Sequence, residues 1–205
     1  GGGDAVIQAV GSGLVKPGVL GVVIGTSGNV TMGLDHYEDK LGTFLVQLSA
    51  EQLSDSDSLR VSKMLHCIGE FERLGDHAVN ILESAEELHR KKLVFSAATQ
   101  AELDTLAAAI TEILGLASSA YTRNDPALAV RIEPLEQTID YLVTAIRSNQ
   151  VQRLQRGESS IELGFILADL LGNYERVSDH CSNIGVAIIE LSHHSLDTHE
   201  YLSSI

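Results

Sequence analysis

The sequence predicts an all-α protein in which two tandem three-helix bundles, six helices in all, are related by an internal duplication. The main evidence is a polar stretch, Glu70–Ile81, much of which recurs as Asn173–Ile184 at an offset of 103 residues. Seven of the thirteen positions from 69 to 81 are identical in the second copy. Repetition at a fixed interval indicates a duplicated structural unit. Because the repeated residues are mostly polar, the duplication preserves more than core packing.

The composition supports the same fold class and limits the partners. Leu, Ile, Val and Ala are abundant among the 205 residues, aromatic residues make up 4% and Trp is absent, which favours helix over sheet. Asp and Glu number 28 against 14 Lys and Arg, so the formal net charge is -14. That balance argues against nucleic acid or an anionic membrane surface as the main partner and is compatible with cations. An acidic surface that only keeps the protein soluble explains the charge equally well.

The chain divides into three parts. Residues 1–34 form an atypical segment that stands where the first helix should be, and they contain ten of the 18 glycines. Each glycine inside a helix costs roughly 1 kcal/mol relative to alanine, so a long regular helix is poorly encoded there. Residues 35–95 are the first repeat and residues 96–205 the second. The glycine-rich start does not read as a signal peptide and there is no CxxC pair, which is typical of a reduced, cytoplasmic chain.

The first repeat contains two predicted helices. Apolar residues at helical spacing predict a helix over residues 35–53. Residues 54–58 are a polar connector rich in N-cap residues, and a long helix follows over about 57–91. That helix ends in the cationic run His89–Lys92, which suits a helix C-terminus.

The second repeat contains three predicted helices, over about 97–121, 126–155 and 159–194. Asn124-Asp125-Pro126 predicts a turn with proline at the first helical position. Pro134 lies inside the second of these helices and predicts a bend or a break there. Because the connections are short, consecutive helices should be antiparallel neighbours.

Acidic residues are the main chemical feature of the repeated stretch. Glu72, Asp76 and Asn80 are four residues apart, so they form one ridge of the helix, beside its apolar stripe. The second copy repeats this ridge with Glu175, Asp179 and Asn183. Carboxylates beside an apolar stripe are costly unless they are paired.

The helix that precedes the motif in each repeat supplies further acids. They are Asp35, Glu38 and Asp39 in the first repeat and Glu133, Glu136 and Asp140 in the second. Placing Tyr37-Glu38 on Leu135-Glu136 also superposes the first acid of each set. Facing acidic ridges repel strongly without a cation; oxygen ligands suit Mg, Ca, Mn or iron, and added histidine shifts the balance towards iron or zinc. The competing interpretation is a solvated acidic face neutralised by Arg73 and Arg176.

Other reactive residues carry less weight. His77 and His180 follow the motif aspartates directly, and we interpret them as surface or helix-packing residues, with a ligand role as the alternative. Cys67 and Cys181 are not at equivalent repeat positions and are predicted to be ordinary core thiols. Ser178 next to these groups does not form a nucleophilic triad, because neighbours on a helix do not face each other.

The motif resembles that of a known family. Glu72-Arg73-Leu74-Gly75-Asp76 is similar to the E-R-x-x-D helix signature of the PhoU family of phosphate-uptake regulators, and Glu175–Asp179 is similar to a second copy. Asp35–Glu38 resembles the acidic segment of the preceding helix, and the similarity covers about 35–195. Within the family, Asp35–Ser49 most resembles the PhoU-like domain that follows the membrane part of bacterial sodium/phosphate cotransporters.

The resemblance implies a duplicated PhoU-like three-helix bundle, multinuclear metal sites and a regulatory rather than catalytic role in phosphate transport. The ligands it implies are four acids in each repeat: Asp35, Glu38, Glu72 and Asp76, and Glu133, Glu136, Glu175 and Asp179. The metals are divalent or trivalent ions, iron or zinc ahead of magnesium, with nickel as a further candidate. The implied partner is a membrane phosphate-transporter domain or subunit at the inner face of the cell membrane, with inorganic phosphate and a homodimer as further candidates.

Three alternatives stay open from the sequence. A carboxylate-bridged di-metal bundle enzyme requires Glu-x-x-His, whereas here histidine follows aspartate directly. A stand-alone phosphate-signalling adaptor would carry the same motifs without a membrane domain. A purely structural helical module would neutralise its acidic faces with salt bridges alone.

Overall fold

The computed structural model of the protein describes residues 29–49 and 53–193, with the side chains of residues 29–38, 55, 56, 191 and 193 left out of the description. The described residues form five long helices and one short one, and no strand occurs among them. The helices are α1 (Asn29–Ser49), α2 (Asp55–Lys91), α3 (Ala97–Arg123), α4 (Pro126–Ala129), α5 (Ile132–Gln155) and α6 (Ile161–His193). The predicted all-α class is confirmed. Most of the atypical segment 1–34 lies outside the described residues, although α1 begins at Asn29, before the predicted start at residue 35.

Local sequence explains where the helices begin and end. Ser54 and Ser96 cap α2 and α3 by accepting hydrogen bonds from the backbone N–H three residues ahead. Lys92 and Asn124 end the same helices in the left-handed conformation, with φ of 55° and 50°. Pro134 lies in the first turn of α5, where a missing N–H is tolerated. The predicted break therefore falls just before it, between α4 and α5.

Helix α6 is the centre of the packing. It contacts α2, α3, α4 and α5, while α1 packs against α2. The three long helices of the second repeat, α3, α5 and α6, all contact one another as a bundle should. At Gly185 an added Cβ would lie 3.0 Å from the side chain of Ile132 and 3.4 Å from the carbonyl of Ala129. Glycine there allows the α4–α5 junction to approach α6 closely.

The two motif helices, α2 and α6, pack against each other in opposite directions. Lys91 near the end of α2 pairs with Glu162 in the first turn of α6 at 2.7 Å, and the middles of both helices meet around Glu70 and His180. The core around this pair is aliphatic, and its fully buried members include Leu106, Ile110, Ile113, Ile139, Leu167 and Ile184. The duplication thus places the two copies of the motif side by side.

Helix α3 combines membrane-compatible length with a role in the core. Among the described residues it is the one helix long and apolar enough to cross a membrane by length and composition. A core helix of a bundle satisfies the same criterion. Its buried residues, including Leu103, Leu106, Ile110 and Ile113, belong to the core shared with α5 and α6.

Candidate metal centre

Three carboxylates from two helices converge in the second repeat. Glu136 and Asp140 are four residues apart and share one face of α5, and Asp179 approaches them from α6. One carboxylate oxygen from each lies within 4.8 Å of those of the other two, and all three side chains are half-buried. A single cation could therefore contact both helices at once.

Neighbouring carboxylates and burial act against ionisation of the two α5 acids, although Nη1 of Arg176 lies 3.9 Å from Oδ2 of Asp179. Burial, followed by the charges of Asp140, Glu133 and Asp179, raises the pKa of Glu136 to about 7. Burial also raises the pKa of Asp140, with further contributions from Glu175 and Asp179 that the Arg147 guanidinium partly offsets. Carboxyl groups with raised pKa values favour a proton or a metal ion over the empty, ionised site.

One oxygen of the cluster is buried without a partner. Oδ1 of Asp140 has no hydrogen bond among the described residues, although it is shielded from solvent. Buried polar atoms are normally satisfied by protein, water or an ion. The atom is therefore available as a ligand.

The other two acids predicted for this repeat flank the cluster and have protein partners. Glu133 accepts a hydrogen bond from the hydroxyl of Ser182 at 2.7 Å. Glu175 accepts one from the guanidinium of Arg147 at 2.7 Å. Of the four acids predicted here, the structure brings Glu136 and Asp179 together and holds the other two beside them. Asp140 was not among the eight predicted ligands, although its spacing from Glu136 placed it on the same ridge.

The site predicted in the first repeat is described only in part. The side chains of Asp35 and Glu38 lie outside the described residues, so the structure does not test whether they join it. Glu72 is half-buried and Asp76 is exposed on α2. Glu72 also interacts with another group of the protein, so it is not a free carboxylate.

The histidines and asparagines of the motif link the two copies instead of completing an acidic ridge. Nδ2 of Asn183 donates to Oε2 of Glu70 at 2.8 Å, and Nδ1 of His180 lies 2.8 Å from the same oxygen. Arg73 also donates to Glu70, at 2.7 Å, and the Glu70 side chain is only 2% exposed. Glu70 is thus a buried carboxylate satisfied by the opposite helix and by its own.

The equivalent residues of the other motif copy make a reciprocal contact between the same two helices. Nδ2 of Asn80 donates to Oδ1 of Asn173 at 3.2 Å, and Nδ1 of His77 lies 2.9 Å from that oxygen. The His77 and His180 rings are stacked between the two contacts, with centroids 5.3 Å apart and planes inclined by 21°. We call the whole set the polar clasp: Glu70, His77, Asn80, Asn173, His180 and Asn183.

The polar clasp corrects part of the sequence interpretation. The sequence placed Asn80 and Asn183 on the same ridge as the acids, whereas both reach to the opposite motif helix. The interpretation of the two histidines as helix-packing residues agrees with the structure. The signal was present in the sequence, because His and Asn recur in both copies three residues apart, the spacing that places them on one face.

Comparisons with known proteins agree with this architecture. The model of the family described as PhoU domain matches residues 33–85 and 103–188. The chain is 29% identical over 120 residues to phosphate-specific transport system accessory protein PhoU homolog 1 of Thermotoga maritima. That alignment includes 58% of this chain and 51% of the relative, so it spans about half the length of that protein.

Two solved structures share the fold. PhoU from Pseudomonas aeruginosa superposes with a TM-score of 0.70 at 20% identity, covering 94% of this chain and 97% of that one. The phosphate transport system regulatory protein PhoU from Streptococcus pneumoniae gives a TM-score of 0.75 at 19% identity, covering 94% and 87%. At these identities the similarity establishes the fold alone.

Proposed function

The chain belongs to the PhoU family, and on that basis we propose that it is a metal-binding regulator of phosphate transport that acts by contact with a membrane transporter. The observation that carries the metal part is the convergence of Glu136, Asp140 and Asp179, one of which, Asp140, has a buried oxygen without a hydrogen-bond partner among the described residues. The transport part rests on the family and on the printed name of the Thermotoga maritima relative, an accessory protein of a phosphate-specific transport system.

The donor set fits a hard cation. Glu136, Asp140 and Asp179 would hold it, and all three offer oxygen. Carboxylate oxygens suit magnesium, manganese or iron, whereas zinc prefers sites with nitrogen or sulfur donors. Nδ1 of His180, next to the cluster in sequence, is already directed at Glu70. We therefore propose iron ahead of zinc, with magnesium or manganese as competitors.

The chemistry that a bound cation supplies is neutralisation of the carboxylate charge. Glu136 and Asp140 belong to α5 and Asp179 to α6, so removing their mutual repulsion would strengthen the contact between these helices. A transporter that docks on this part of the bundle would then meet a different surface charge and a more rigid pair of helices when metal is present. This is a regulatory role and includes no catalytic step.

Metal titration of the whole chain tests the metal part of the proposal. We expect isothermal titration with Mn²⁺ or anaerobic Fe²⁺ to show binding that the conservative variant Asp179→Asn weakens at least tenfold. Asp169→Asn is the matched control, since this exposed aspartate lies on the same helix outside the cluster. Equal affinity in the wild type and the Asp179 variant would contradict a metal centre at this position.

A finer part of the proposal concerns the partner. We propose that the chain is the cytoplasmic regulatory domain of a sodium-dependent phosphate cotransporter, at the inner face of the membrane, because Asp35–Ser49 resembles that subgroup. Co-flotation with liposomes tests this: the chain should float with vesicles containing a sodium/phosphate cotransporter membrane domain and stay behind with empty vesicles. A stand-alone adaptor for another transporter would bind neither kind of vesicle, and this outcome would refute the cotransporter assignment alone.

A further inference from the structure

The pairing of α2 with α6 leaves two grooves on the surface, related by the same 103-residue offset as the two motif copies. We propose that the larger one, which we call the acidic groove, docks a basic amphipathic helix of the transporter. Phe165 would be the apolar anchor, and Glu83 and Asp169 would face lysine or arginine of the partner. This inference rests on the proposed contact with a membrane transporter. It adds the docking surface and the chemistry of the partner.

The acidic groove lies between the second half of α2 and the first half of α6 and has a volume of about 470 Å³. Glu83 and Glu87 line it from α2, and Asp169 and Arg176 line it from α6. A Cβ added at Gly172, another lining residue, would meet no atom within 4 Å. The groove is therefore open at this point to a side chain of a partner.

Two carboxylates of the acidic groove have no ion-pair partner within the part of the chain that the structure describes. They are Glu83 and Asp169, and both are exposed. Glu87, by contrast, pairs with Lys91 at 2.6 Å. The guanidinium of Arg176 lies 3.9 Å from Asp179, which is not a lining residue. Cations of a partner can therefore pair with Glu83 and Asp169 without displacing an existing contact.

Exposed apolar side chains continue the acidic groove along α6. Phe165 is 69% exposed, and Ile161, one turn before it, is 72% exposed. Phe165 precedes Asp169 by four residues, so both lie on one face of the helix. Apolar patches rimmed by polar residues mark interaction sites. A helix that fits this surface presents an apolar residue to Phe165 and, about one turn further on, a cation to Asp169.

The counterpart groove, between the start of α2 and the end of α6, has a volume of about 390 Å³. Asparagine lines the same position in both grooves, Asn80 in one and Asn183 in the other. The three residues that would contact the partner are not repeated: Phe165 corresponds to Ser62, Glu83 to Val186 and Asp169 to His66. The counterpart also contains Lys63. A basic helix should therefore select the acidic groove.

The chemistry of the partner agrees with the place where it would lie. Segments of membrane proteins next to the cytoplasmic side of the bilayer are rich in lysine and arginine. Amphipathic helices at the membrane interface combine these cations with large apolar residues on the opposite face. The chain itself has a net charge of -14, so it attracts such a segment electrostatically. Binding should therefore weaken as the salt concentration rises.

Fluorescence anisotropy with a synthetic peptide tests the acidic groove without metal or transporter. The probe is a labelled helix of about five turns with leucines on one face and lysines on the other. We expect Phe165→Ser to weaken binding about tenfold, because it removes the apolar contact. We expect Glu83→Gln to weaken binding about threefold and to reduce its salt dependence.

Two matched controls change the same residue types elsewhere on the surface. Phe44→Ser removes an exposed phenylalanine of α1, and Glu112→Gln neutralises an exposed acid of α3. Both should bind the peptide like the wild type, and circular dichroism should show unchanged helix content in all four variants. Equal weakening by the controls, or no binding by the wild type, would overturn the docking groove. Equal binding of a peptide with serine in place of leucine would show attraction by charge alone and would also overturn it.

Co-flotation separates this inference from the proposed function. The whole chain is mixed with vesicles that contain a sodium/phosphate cotransporter membrane domain. If the wild type floats and the double variant Glu83→Gln with Phe165→Ser floats equally well, the docking groove is wrong and the transporter contact stands. If the wild type does not float, the cotransporter assignment fails, and the peptide titration alone decides whether the acidic groove binds a basic helix.

Discussion

Glu70 and Asn173 occupy the same position in the two copies of the motif, and each accepts a hydrogen bond from the asparagine of the opposite copy. The donor–acceptor distance is 2.8 Å at Glu70 and 3.2 Å at Asn173. The histidine of the opposite copy lies 2.8 Å from Glu70 and 2.9 Å from Asn173. The contact between α2 and α6 is therefore approximately two-fold symmetric, with one acidic and one neutral half. The motif serves two purposes, because its His and Asn join the repeats while its acids face elsewhere.

The acidic half of the polar clasp should contribute more to stability than the neutral half. Glu70 is buried and accepts from Asn183 and Arg73, and hydrogen bonds to charged groups contribute more than neutral ones. We expect Glu70→Gln to lower the free energy of unfolding in urea by about 1–3 kcal/mol. Glu86→Gln, at an exposed position of the same helix, should change it by less than about 0.5 kcal/mol. Similar losses in both variants would show that the clasp does not stabilise the fold.

Protonation of Glu70 should contribute to the unfolding of the protein in acid. Burial opposes ionisation of Glu70, but hydrogen bonds from Asn183 and His180 and the charges of His180 and Arg73 outweigh it and lower its pKa from the ordinary 4.5. A carboxyl whose pKa is lower in the folded state stabilises the fold above its unfolded value and loses that contribution as the pH falls through the folded value. The melting temperature of the wild type should therefore fall more steeply below about pH 4.5 than that of Glu70→Gln. Parallel curves for the two proteins would exclude this coupling.

Much of the fold could be predicted from the sequence because its signals are local. The helix ends at Ser54, Ser96 and Asn124 depend on capping groups within a few residues, so the predicted and observed bounds agree closely. Helix-forming stretches separated by turn and connector residues predicted the three long helices of the second repeat. The break before Pro134 was placed less well, since a proline marks the first turn of a helix as readily as its interruption.

The site was harder to predict because it depends on which faces meet. Spacing of four residues placed Asn80 with Glu72 and Asp76, yet the side chain reaches across to Asn173. A side chain on the border between two faces of a helix can point towards either one. Only the packing of α2 against α6 determines which face Asn80 joins. Asp140 was visible as part of an acidic ridge, but its role depends on the approach of Asp179 from another helix.

The two cysteines should resist modification in the folded protein. Cys67 and Cys181 are both fully buried and free. Burial raises the pKa of Cys67 to about 11 and that of Cys181 to about 12, so almost no reactive thiolate is present at pH 8. We expect an aromatic disulfide reagent to label both residues at least a hundredfold more slowly in buffer than in 6 M guanidinium chloride. Rapid labelling of one thiol in buffer would show local opening of its helix.

Asp179→Asn should change stability in opposite directions without and with metal. Asp179 adds to the negative charge that raises the pKa of Glu136 to about 7, behind burial and the charges of Asp140 and Glu133. Neutralising it should relieve repulsion between α5 and α6 and stabilise the metal-free protein at pH 8, by about 1 kcal/mol or less because the cluster is partly solvated. With saturating Mn²⁺ the wild type should gain about 2.7 kcal/mol at a hundred times its dissociation constant, and the variant much less.

The melting temperatures of the wild type and of Asp179→Asn should therefore cross as Mn²⁺ is added. Melting temperatures measured after chelation and then at increasing Mn²⁺ locate the crossing, and Asp169→Asn, outside the cluster, should follow the wild type throughout. Asp179 also lies 3.9 Å from the exposed guanidinium of Arg176. If this ion pair or a packing role of Asp179 dominated, the substitution would destabilise the protein under both conditions, because it would remove a favourable contact. The effect of the substitution on stability changes sign only if the carboxylate repels its neighbours in the metal-free protein and binds the cation when metal is present. The crossing therefore distinguishes a metal centre from a solvated acidic face.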